Sequence, residues 1–106
     1  MVIDDILELL TTPTPTASKP FLDRVDATLT DGYAQALQLE AERSRTERRI
    51  AEVVARLGGD QAIHRHEPEL VELSEKLMSA NAEIASLRTL LTSLRNRRSE
   101  LRSAAA

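Results

Sequence analysis

LVELSEKLMSANAEIASLRTLLTSLRNRRSEL, residues 70–101, repeats its apolar side chains at alternating spacings of three and four. With Leu70, Leu77, Ile84, Leu91 and Arg98 at heptad position a, position d holds Leu73, Ala80, Leu87, Leu94 and Leu101. Only Arg98 is polar in this set, and a stripe kept over several heptads argues for a coiled-coil helix. The same grammar runs upstream through Leu22–Leu57. There a is Leu22, Leu29, Ala36, Arg43, Ile50 and Leu57, and d is Val25, Gly32, Leu39, Thr46 and Val53. Each helix would reach about 50 Å at roughly 1.5 Å per residue, and matched lengths suit pairing.

The connection Gly58-Gly59-Asp60-Gln61-Ala62-Ile63-His64-Arg65-His66 is short enough to make the two helices antiparallel neighbours. Gly58 and Gly59 suit a left-handed helix stop. Pro68 suits a first helical turn, where a missing N–H is no loss. Glu67, Glu69 and Glu72 would then sit at the positive end of the second helix dipole. The predicted fold is therefore all-α. It is an antiparallel two-helix coiled-coil hairpin, with helices about 20–57 and 67–103 inside a segment 20–106. A short amphipathic helix, 2–10, precedes it on a Thr/Pro-rich linker, 11–19.

Flanking charge supports the antiparallel sense, in which e faces e and g faces g. Aligning Ile50 with Ala80 pairs Asp26 with Arg102, Glu40 with Arg88 and Arg49 with Glu83; only Arg56 against Lys76 repels. Tyr33 falls opposite Arg95, a cation–π geometry. Gly32 falls opposite Arg98 and leaves that side chain room to exit. Such exposed pairs choose orientation rather than supply much stability. Residues 1–42 hold eight acids and two bases, and 88–106 hold five arginines and one acid, so opposite signs meet in a hairpin. Arg43 and Thr46 interrupt the first stripe. The simplest reading has Arg43 turning outward, its stem covering the seam; the sharper one is a register-setting polar layer. Gly32 is read as lying within one continuous helix, because the heptad phase passes through it.

In the N-terminal helix, Ile3, Ile6, Leu7 and Leu10 share a face beside Asp4, Asp5 and Glu8. Two turns are not stable alone in water. Either they form a tethered recognition helix for a partner's groove, or they fold back on the hairpin or a sister subunit. A second candidate partner-binding surface is the outer face, where Leu37, Val71, Met78 and Leu90 stand among alanines at b and f positions.

Composition narrows the function. In 106 residues there is one Phe, one Tyr and no Trp, so no bulky aromatic core forms, and small domains are marginal alone. This points to a homo-oligomer, a dimer forming a four-helix bundle. The absence of cysteine removes thiolate chemistry and fits a reducing, cytoplasmic setting. No apolar run is long enough for a membrane span, and no leader is apparent. Twelve arginines against two lysines, with abundant alanine, fit a GC-rich bacterial genome. His64, His66, Glu67 and Glu69 offer metal donors but crowd one short loop, so no metal is expected. The clusters Arg43, Arg45, Arg48, Arg49 and Arg95, Arg97, Arg98 invite phosphate. Interleaved glutamates, a net charge of −3 and the lack of stacking aromatics disfavour nucleic acid. No nucleophile is paired with a base and no Gly-rich phosphate loop occurs, so neither catalytic residues nor a cofactor are expected. The reading is a non-enzymatic coiled-coil adaptor or small assembly factor that self-associates and binds a protein. Its alternative is a structural subunit of a larger, phage-like or secretion-type assembly.

Overall fold

The computed structural model describes residues 2–12, 18–57 and 60–105, with side chains throughout except at 60–64 and 105. Three helices follow in order: α1, Val2–Thr11; α2, Lys19–Ala55; and α3, Asp60–Ala105. The described residues contain no strand. α2 and α3 pack together as an antiparallel hairpin after the short α1, as the heptads predict. Positions 13–17 of the Thr/Pro linker and Gly58-Gly59 lie outside the described residues.

Local chemistry sets the helix ends. Ser18 caps α2: its hydroxyl accepts from Phe21 N–H at 3.3 Å and its carbonyl accepts from Leu22 N–H at 3.0 Å. Pro20 falls in that first turn, where its missing N–H costs nothing. At the other end Arg56 N–H is shared between the carbonyls of Glu52 and Val53, at 3.2 and 3.1 Å, and Leu57 N–H reaches Val54 at 3.1 Å, tightening the last turn. Asp4 and Asp5 lie in the first turn of α1, at the positive end of its dipole. Gly32 stays inside α2, which is continuous.

α3 corrects the expected boundaries. It begins at Asp60, not near Glu67, so Asp60–Glu67 is helix rather than loop and Pro68 lies in the helix interior. Glu67, Glu69 and Glu72 are accordingly interior residues of α3, away from its positive end. An interior Pro removes one hydrogen bond and costs about 3 kcal/mol. Tertiary packing along a long helix can absorb that, and propensity is a weak prior against it.

The chain divides into two compact units: residues 1–37 with 85–106, and residues 38–84. In unit 1, α1 packs on segments of α2 and α3. Ile6, Leu9, Val25, Leu87 and Leu94 are fully enclosed, and Leu29, Ala36 and Leu91 are buried beside them. In unit 2, only Leu39, Thr46, Val53 and Ile84 are buried among the described residues. Ile50, Leu70, Leu73, Leu77 and Ala80 remain half-exposed at their a and d positions.

The register differs from expectation by one heptad in unit 1. A Cβ at Gly32 would run into the Leu91 side chain, with Cγ at 3.4 Å, and would meet Ile6 Cδ1 at 3.6 Å. Gly32 therefore faces Leu91 instead of Arg98, and 98 − 91 = 7. The absent side chain is a hole for Leu91 and lets α1 approach. Within unit 2, Arg43 donates to Asn81 Oδ1 at 3.4 Å, which brings the small Ala80 rather than Leu87 to the Arg43 layer. Arg43 also meets Glu47 at 3.5 Å and is only partly covered, so it turns outward. Thr46 is buried but satisfied, its hydroxyl donating to the Glu42 carbonyl at 3.1 Å.

Candidate protein-binding surfaces

α1 is docked on its own chain. Ile6 is enclosed with Leu9, a residue outside the expected anchor set; Ile3 and Leu10 are half-buried and Leu7 is exposed. The apolar face is turned from the expected one toward Ile6 and Leu9. The signal was present as the three-residue spacing of those two side chains. A two-turn helix with six apolar residues can seat several faces, and the surface beneath decides which. Polar contacts hold both flanks. Arg24 bonds Glu8 at 2.8 Å, and Arg97 Nη2 donates to the Thr12 carbonyl at 3.0 Å, satisfying the negative end of α1. Thr11 and Thr12 hydroxyls donate back to the Leu7 and Glu8 carbonyls at 2.8 and 2.6 Å.

The remaining members of the predicted set lie outside. In unit 1, Leu37 is exposed, and Leu90 is half-exposed in a shallow depression with Ala85, Ser86 and Thr89. In unit 2, Val71 and Met78 are 51% and 72% exposed, one heptad apart at b, and Val54 is 51% exposed. An aliphatic side chain left this open gives up most of the ~1.5–3 kcal/mol that full burial would contribute.

Charged side chains are mostly engaged locally. In unit 1 Asp26 accepts from Arg102 at 3.4 Å, as the e–e pairing predicts, and also forms an ion pair with Arg98. Tyr33 and Arg95 line one cleft with Asp26, Leu29, Thr30 and Arg98. In unit 2 Arg49 does not take Glu83 as expected. It bonds Glu69 at 2.7 Å and Glu52 at 3.5 Å. The hydrogen bond to Glu8, then that carboxylate's charge, raises the Arg24 pKa above its ordinary range. Glu69 does the same for Arg49. A raised cation pKa keeps both guanidiniums protonated, so on the arginine side these pairs are lost only in strong alkali.

His66 and Glu69, 3.7 Å apart, share one face of α3 rather than a loop; the His64 side chain lies outside the described residues. Among the described residues no group of three or more His, Cys, Asp or Glu converges to hold a metal ion. Nor, among them, is any helix long and apolar enough to cross a membrane.

Unit 2 also carries a polar-walled cleft. It is lined by Glu42, Arg45, Thr46, Arg49, Leu73 and Lys76. Thr46 and Leu73 are d residues at its floor, Glu42, Arg49 and Lys76 are g residues, and Arg45 is at c. Among the described residues Arg45 and Lys76 make no ion pair. No protein-family model, curated protein or solved structure matches the chain.

Proposed function

We propose that this protein is a non-enzymatic coiled-coil adaptor or small assembly factor that self-associates and binds a protein partner. The observation that carries the reading is the exposure of Val71 and Met78 on successive heptads of the b stripe in unit 2. Side chains of this size at heptad spacing are what a second helix covers when a hairpin becomes half of a four-helix bundle. Leu37 and Leu90 extend the candidate contact set in unit 1. A cytoplasmic setting belongs to the same reading, supported by a cysteine-free chain.

The enclosed Ile6 and Leu9 favour a packed α1 over a freely tethered one. They lend support to the second reading, a structural subunit of a larger phage-like or secretion-type assembly in which α1 stays packed. Sedimentation equilibrium tests the first. The wild-type chain is expected to associate reversibly, and Val71→Glu/Met78→Glu to sediment as a monomer with unchanged helicity. A wild-type monomer throughout the accessible concentration range would overturn self-association.

A further inference from the structure

The cleft of unit 2 repeats, three heptads along, the pair of cations that holds α1 in unit 1. In unit 1 the cation at c of α2 is Arg24 and the cation at g of α3 is Arg97. They grip the last turn of α1 through the Glu8 carboxylate and the Thr12 carbonyl. In unit 2 the same heptad positions hold Arg45 and Lys76. The correspondence keeps register, since 45 − 24 = 21 and 97 − 76 = 21. Between the cations of unit 1 lie an apolar floor and a docked helix with three acids and no base. Between those of unit 2 lie Thr46 and half-exposed Leu73, with no helix of the described chain on them.

We propose that this unit 2 cleft is a docking groove for an acidic amphipathic helix of a partner protein, seated as α1 is seated in unit 1. The inference rests on the reading of this chain as a partner-binding hairpin and names the partner's chemistry. Charge selects the occupant: Arg49 is matched by Glu69, and Arg45 and Lys76 against Glu42 leave the walls net positive with carboxylate-binding capacity to spare. Leu73 on the floor asks for an aliphatic anchor, the part Ile6 and Leu9 play in α1. One obstacle is on hand. Arg49 reaches Glu69 on the g side, where unit 1 has Thr28 and Leu90. Two hydrogen bonds at 3.0 and 2.7 Å hold Arg49 on Glu69, so the incoming carboxylates fall to Arg45 and Lys76.

The test uses the full chain and a fluorescent, end-blocked peptide of residues 2–12 as the acidic amphipathic probe, followed by anisotropy. Saturable binding that weakens with added salt is expected. Arg45→Glu/Lys76→Glu should weaken it tenfold or more, and a peptide with lysine at its three acidic positions should restore binding to that variant. The rescue also shows the variant to be folded. Arg24→Ala, which loosens only the α1 seat, should not weaken the titration. No saturable binding overturns the proposal. So does loss in Arg24→Ala with retention in the cleft variant, which would mean exchange with the chain's own α1. If the cleft variant instead abolishes self-association without peptide, the occupant is a second copy and the proposal fails. Sedimentation of the same samples reports the wider reading separately: a chain that dimerises but ignores the peptide loses the groove alone.

Discussion

Leu91 and Leu94 in unit 1 occupy the same heptad positions as Leu70 and Leu73 in unit 2, yet the first pair is enclosed and the second half-exposed. The difference is a third helix. Two helices bury one stripe each and leave the flanks of that stripe wet. Where α1 lies on unit 1, its Ile6 and Leu9 close the seam, and Gly32 lets it come close. Unit 2 has polar or cationic side chains at the matching places, Arg43, Thr46 and Arg49, and no third helix among the described residues. The lesson is that one repeat can build both a finished core and an unfinished one. A partner has the most apolar surface to gain at the unfinished one.

The largest expected effect separates the two units directly. Leu9→Ala removes a fully enclosed side chain and should cost about 2–5 kcal/mol in urea denaturation, including the cavity left behind. Leu73→Ala, already half in water, should cost roughly 1 kcal/mol on area grounds. Equal losses at both positions would break the comparison.

A smaller effect sharpens it. Gly32→Ala gains about 1 kcal/mol of helix propensity. Its Cβ, however, must displace Leu91 inside a closed core, and overpacking costs roughly 1–3 kcal/mol. A net loss near 1 kcal/mol is expected from the same titration. A net gain would show that the core of unit 1 has slack around Leu91.

How much of this was legible follows from two particular residues. Pro68 read as a first-turn proline moved the start of α3 to Glu67, whereas the helix starts at Asp60. That is 67 − 60 = 7, the same seven residues by which Gly32 meets Leu91 instead of Arg98. Start and register are one error. A slip of a whole heptad leaves every a, d, e and g letter in place. Hairpin sense and stripe composition therefore survived it, but individual ion pairs do not follow it: Asp26 spans Arg98 and the expected Arg102, while Arg49 meets Glu69, two heptads from the expected Glu83. Register is a difference between near-equivalent packings, decided by where Leu91 finds a hole and where Arg43 finds a small neighbour. Leu9 was missed for a related reason. A short helix shows its docking face only against the surface it meets, and Gly32 is part of that surface.

Native-state hydrogen exchange tests the contrast between the units most directly, because amide protection reports local opening residue by residue. Amides of Leu29–Ala36 and Leu87–Leu94 should exchange only with global unfolding. Amides of Thr46–Val53 and Leu70–Leu77 should exchange through lower-energy local opening, and the purified wild-type chain should show this at concentrations where it is monomeric. Equal protection in the two sets, or greater protection in unit 2, would contradict the account of one closed and one unfinished core.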